Sequence, residues 1–115
     1  MGSERRTFRV AQAIREQVSR RLLDSSDDRF HFVTVTGVLV SNDLRHAKVY
    51  WMHSGQKDRV PEITAAFEKA RGFFRHGLAE GLNLRYVPDL RFYYDDTLDT
   101  AAEIDRLLDR ATDSE

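Results

Sequence analysis

The chain has 115 residues, 41% of them hydrophobic and 32% charged, with a formal net charge of −1. That length suits one domain that buries a core without staples, and the lack of cysteine removes disulfides, thiolate metal sites and thiol nucleophiles. No apolar run approaches the roughly 18 residues of a membrane span, and the opening MGSERRTFRV lacks a signal peptide's apolar centre, so a soluble, cytoplasmic protein without a membrane partner is expected.

From about Arg5 to Leu23, Val10, Ala11, Ile14, Val18 and Leu22 recur at three and four, with Arg5, Arg6, Arg9, Gln12, Glu16 and Arg20 around the rest. This is the pattern of an amphipathic helix with a mostly basic exposed side. The polar run Asp24-Ser25-Ser26-Asp27-Asp28 ends it. Phe30 to Val40 is β-branched and alternating and predicts a strand, with Val33 and Val35 on one face and Phe32, Thr34 and Thr36 on the other. Gly37 interrupts the alternation and Val38 and Val40 resume in the opposite phase, which a bulge or a close backbone approach would produce. After the turn Ser41-Asn42-Asp43-Leu44, Ala47, Val49 and Trp51 alternate with Lys48, Tyr50 and Met52, giving the second strand of an antiparallel hairpin.

Asp58 is a candidate N-cap, with Pro61 tolerated in the first turn behind it. The stripe Ile63, Phe67, Ala70, Phe74, Leu78, Leu82 then keeps helical spacing across Gly72 and Gly77. Each interior glycine costs a helix about 0.5–1 kcal/mol against alanine, so something must offset them. Pro88 and Asp89 precede a third strand with Leu90, Phe92 and Tyr94 on one face. Leu98 to Ala111 reads as a last helix, with Leu98, Ala101, Ala102, Ile104, Leu107 and Leu108 as its apolar residues and an acidic end behind it. Helices segregated from three strands predict an α+β layer.

The near-zero net charge hides an asymmetry. Residues 95–115 carry eight acids against Arg106 and Arg110, which leaves 11 acids and 16 bases in residues 1–94, a net of +5 before Asp95 and −6 from it onward. A basic body with an acidic end still presents a cationic face. The histidines His31, His46, His53 and His76 show no metal-ligand spacing, and no metal or cofactor is expected. Asp27-Asp28 and Asp95-Asp96 fit turns and caps better than acid/base work, and neither a Ser/His/Asp arrangement nor a phosphate-binding glycine loop occurs, so no catalytic residue and no enzyme is expected.

The order α-β-β-α-α-β is that of type II KH domains, yet no GXXG is present. In its place stands Ala70-Arg71-Gly72, which resembles the bent Ala-x-Gly junction of the bacterial ribosome-binding factor A family. Arg9-Val10-Ala11-Gln12 resembles that family's opening helix, and Val35-Thr36-Gly37-Val38 with Ser41-Asn42-Asp43-Leu44 and Ala47-Lys48-Val49-Tyr50 resembles its hairpin. The run from Leu84-Arg85-Tyr86-Val87-Pro88-Asp89 to Asp96 resembles its third strand. The resemblance covers roughly Arg5 to Leu108; it departs at the end, since members often carry a longer charged tail and this sequence stops at Glu115.

The resemblance implies a type II KH-like RNA-binding domain over residues 1–115, with a core at about 5–96 and an acidic helix and end at 97–115. It implies a monomeric assembly factor that binds the immature small (30S) ribosomal subunit and its 16S rRNA, assists late rRNA processing and maturation, and dissociates. Ala70 and Gly72 would form the helix bend, bringing backbone N–H groups near phosphate. Arg5, Arg6, Arg9, Lys69, Arg71, Arg75 and Arg85 would contact RNA phosphates. Apart from the resemblance, these bases also fit an ordinary solvated face, and Gly72 also fits close helix packing. Phe73, Phe74, Tyr93 and Tyr94 fit the core better than base stacking. The alternative function is a protein-interaction module that docks a partner through its sheet edge or its amphipathic last helix.

Overall fold

In a computed structural model of the chain, residues 2–55 and 57–113 are described. Residues Met1, Gln56, Ser114 and Glu115 and the side chains of Ser3, Lys57, Leu98, Asp99, Ala102, Ala111, Thr112 and Asp113 lie outside that description. Helix α1 (Gly2–Asp24) leads into strands β1 (Val33–Val40) and β2 (His46–His53), helices α2 (Val60–Lys69) and α3 (Arg71–Gly81), strand β3 (Asp89–Tyr94) and helix α4 (Thr97–Asp113). The three strands form one sheet in the order β1-β2-β3, with β1 antiparallel to β2 and β2 parallel to β3. A parallel neighbour needs a crossover of a dozen or so residues, and α2 with α3 provides it.

The expected bulge is present. Val35 pairs with Trp51 and Gly37 with Tyr50, so Thr36 is the extra residue. It shifts the phase so that Val33 and Val35 before it, and Val38 and Val40 after it, all pack against the core. Ala47, Val49 and Trp51 of β2 and Leu90 and Phe92 of β3 are buried on the same face, beneath Ile14 and Val18 of α1, Ile63 and Phe67 of α2 and Phe74 and Leu78 of α3. Five aromatic rings fill the centre, with Phe67 stacked on Phe92 at 4.6 Å and tilted against Phe30 at 4.8 Å.

Two expectations need correction, the start of the first strand and the cap of α2. The strand starts at Val33, not Phe30, because the Asp27 carboxylate accepts the Arg29 backbone N–H and winds Asp28–Phe30 into a 3-10 turn that tips Phe30 into the core. Phe32 then reverses the chain with φ of 66° and stays exposed. Asp58 does not cap α2; it sits in a second 3-10 turn, Lys57–Arg59, and Arg59 at the N-cap makes no side-chain cap bond. The apolar stripe of α4 stays outside the core, with Ile104, Leu107 and Leu108 each at least half exposed. Helices α1, α2 and α3 already cover the buried face of the sheet, which leaves α4 no place on it.

Candidate nucleic-acid interface

Helices α1 and α3 run antiparallel and approach closely at Gly77 and, one turn on, at Gly81. A Cβ at Gly77 would lie 2.6 Å from Arg21 Nε and 2.7 Å from its Cγ, so the missing side chain lets the Arg21 stem cross α3. The guanidinium then sits 4.6 Å from the Phe73 ring centroid and 3.8 Å from Glu80. Gly77 is therefore a packing glycine.

Gly72 is different. It is exposed in the first turn of α3, has no positive φ, and a Cβ added to it would meet nothing within 4 Å. Close helix packing does not account for it. Ala70 stands between α2 and α3 at φ −92° and ψ 8°, and it both donates its N–H to the Ala66 carbonyl and accepts that of Phe74.

The predicted basic residues fall into two groups. Arg5, Arg6 and Arg9 are exposed on the first turns of α1. Lys69, Arg71 and Arg75 lie around the start of α3, which the antiparallel packing puts at the far end of the helix pair. At 1.5 Å per residue the two groups are roughly 30 Å apart. Lys69 is exposed, Arg71 is ion-paired with Glu68, and Arg75 donates to the carbonyls of Pro88 (3.3 Å) and Val87 (3.2 Å). Arg75 thus ties α3 to the segment leading into β3.

Arg85 joins the first group. A groove of about 600 Å³ between α1, the β1–β2 turn and the α3–β3 loop is lined by Arg6, Arg45, Arg85 and Tyr86, with Asn83 and Asp43 beside them. The Arg45 and Arg85 guanidinium carbons lie 5.3 and 5.4 Å from the Tyr86 ring centroid. Asp43 accepts from the Ser41 hydroxyl at 2.6 Å and the Arg45 N–H at 3.1 Å, and these bonds hold its carboxyl below the usual range, the hydroxyl contributing most. Sequence reasoning passed over Arg45 and the Tyr86 ring as site residues, because nothing local shows that the turn and the loop meet. Of the aromatics assigned to the core, Phe74 is buried and Tyr94 packs against it. Phe73 and Tyr93, at 38% and 42% exposed, lie at the surface.

Fold and surface together define a small α+β domain that presents cationic side chains from helix ends and loops, with no cluster of three His, Asp or Glu among the described residues that could hold a metal. A family model for ribosome-binding factor A matches residues 6–108. The chain belongs to the ribosome-binding factor A family. It is 43% identical over 108 residues to the ribosome-binding factor A of Alcanivorax borkumensis, covering 92% of this chain and 79% of that one. Its fold is similar to the solution structure of a Thermotoga maritima protein described as a candidate ribosome-binding factor A, with a TM-score of 0.69 and 32% identity over 76% of this chain and 85% of that one. It is also similar to a homology model of the Thermus thermophilus ribosome-binding factor A fitted into a cryo-EM map of a 30S complex. There the TM-score is 0.58 and the identity 21%, over 78% of this chain and 91% of that one, a likeness of fold.

Proposed function

We propose that this chain is a non-enzymatic assembly factor that binds the immature 30S ribosomal subunit through its 16S rRNA, assists late rRNA processing and maturation, and then dissociates. It acts as a cytoplasmic monomer without a cofactor, through a type II KH-like domain in which Ala70-Arg71-Gly72 forms a helix bend in place of GXXG. Family membership supports this function, and the Thermus relative fitted into a 30S complex agrees with it.

Gly72 is the observation that carries it. A helical glycine that is exposed, unstrained and free of neighbours lowers stability with no return inside the molecule. A bare backbone at the start of α3 lets a phosphate approach the free N–H groups of the first turn, where the helix dipole favours negative charge. Lys69 and Arg71 flank that point, and Arg5, Arg6, Arg9 and Arg85 extend the contact along α1, with Arg75 adding charge while it braces the loop.

Co-sedimentation with immature and mature small subunits tests this function. Binding to immature particles that falls steeply with salt is expected, and a protein that pellets with neither particle would refute it. The exposed Ile104, Leu107 and Leu108 of α4 favour a second reading, a module that docks a protein partner. Binding through that apolar face would change little with salt.

A further inference from the structure

We propose that the groove between α1, the β1–β2 turn and the α3–β3 loop binds an unpaired RNA nucleotide, with the base on the Tyr86 ring and the phosphates on Arg6, Arg45 and Arg85. This rests on the RNA-binding function proposed above and adds a second contact, at the opposite end of the helix pair from Gly72.

Four features converge on it. Residues 6, 45 and 85 come from three separate segments, and folding brings their side chains to one groove. Gathering three like charges is unfavourable unless an anion offsets them. Asp43, the carboxylate among the lining residues, is held by Ser41 and the Arg45 N–H and offsets one of these charges, which still leaves the lining positive. Tyr86 is 57% exposed, an aromatic ring with two guanidinium carbons within 5.4 Å of its centroid. Finally, Leu44 lines the same groove at φ of 60°, a conformation that favours glycine, and strained positions of this kind gather at ligand sites.

The frame is firm. The Asp89 N–H donates to the Arg45 carbonyl at 2.8 Å, and the Leu44 N–H to that of Ser41 at 2.9 Å, so turn and loop hold their spacing without ligand. A volume of about 600 Å³ falls within the usual range for small-ligand pockets. Stacking a base on an exposed ring is stronger than an exposed cation–π contact. An arriving base therefore displaces a guanidinium from the ring and leaves it free for phosphate. Bases inside a duplex are already stacked on each other, so the groove selects single-stranded RNA. The Asn83 side chain, which lines the same groove, carries both a donor and an acceptor for a base edge.

The test is fluorescence anisotropy with a labelled eight-nucleotide single-stranded RNA and a short RNA duplex, on the full chain at one fixed salt concentration. Tyr86→Ala should weaken single-strand binding about tenfold, while Tyr86→Phe, which keeps the ring, and Tyr93→Ala, on another face, should stay within about twofold. Duplex binding should not respond to Tyr86→Ala. Wild-type single-strand affinity in Tyr86→Ala, or an equal loss on the duplex, would overturn the nucleotide site while leaving RNA binding intact. A wild-type protein that binds neither probe would overturn both. As a check independent of variant folding, a strand carrying 4-thiouridine should photo-crosslink to residues 83–86 of the unaltered chain, and crosslinks confined to other segments would refute the site.

Discussion

Replacing Gly72 and Gly77 by alanine, one at a time, is expected to move stability in opposite directions. At Gly72 the new methyl meets nothing within 4 Å, so the helix-propensity gain appears alone. It should be near the lower end of about 0.5–1 kcal/mol, because the residue sits in the first turn. At Gly77 the methyl would stand 2.7 Å from Arg21 Cγ, on a stem whose guanidinium is held over the Phe73 ring and which therefore cannot swing away freely. Overpacking of that kind costs about 1–3 kcal/mol, which leaves a net loss of about 0.5–2 kcal/mol after the propensity gain. At about 2.1 cal/mol/K per residue, 115 residues unfold with an entropy of about 0.24 kcal/mol/K. Gly72→Ala should therefore raise Tm by about 2 °C and Gly77→Ala lower it by about 2–8 °C. Trp51, the single tryptophan and fully buried, reports the transition by its fluorescence. In an Arg21→Ala background the Gly77→Ala penalty should vanish, a coupling that a double-mutant cycle measures. Gly72→Ala should also weaken binding to immature small subunits while it stabilises the fold. Equal stabilisation at both positions would refute the packing argument, and unchanged subunit binding in Gly72→Ala would refute the role given to the bare backbone.

Arg75→Ala should cost about 1–2 kcal/mol for the lost bonds to the Val87 and Pro88 carbonyls, whereas Lys69→Ala should leave Tm within about 1 °C. If both contact phosphate, each change lowers the slope of log affinity against log salt by about 0.7–0.9, and an unchanged slope would place binding elsewhere. Asp95 accepts from the Thr97 and Thr36 hydroxyls and the Thr97 N–H, which hold its carboxyl below the usual range, the Thr97 hydroxyl contributing most. Its folded pKa lies below the unfolded value of about 3.9, so its stabilisation is full above that pH and is lost as pH falls through the folded pKa. Asp95→Asn should accordingly flatten the decline of Tm as pH falls below about 4, and an acid limb identical to wild type would count against it. Deleting residues 97–115 should shift the Tm of the body by less than about 4 °C, since no described side chain of α4 is buried. Neutralising Asp99, Glu103, Asp105 and Asp109 should raise RNA affinity at low salt if the acidic end competes with phosphate, and no gain would exclude that competition.

Periodicity within the chain was enough to reveal the elements and most of the core. The stripe Ile63, Phe67, Phe74, Leu78 and the alternation Ala47, Val49, Trp51 are buried as the spacing requires, and the phase change around Gly37 foretold the bulge. These features are local: the repeat of a helix or strand decides which side chains share a face, whatever that face packs against. Short runs of sequence likewise carried the family resemblance. What the sequence could not settle depends on competition between local bonds or on pairs distant along the chain. Phe30 reads as the first residue of a strand until the Asp27 cap winds its backbone into a turn, a competition between local bonds and sheet pairing that alternation cannot decide. The apolar positions of α4 mark one face of a helix, but the exposure of that face follows from the tertiary structure, where the sheet has one buried face and three earlier helices fill it. Gly72 and Gly77 look alike in sequence, and Arg21, 56 residues from Gly77, makes one a packing requirement while the other stays open. Arg6, Arg45, Arg85 and Tyr86 likewise share a groove only after a helix, a turn and a loop have met. Contacts of this kind form after long loops have closed, so the distances that define a binding surface belong to the tertiary structure.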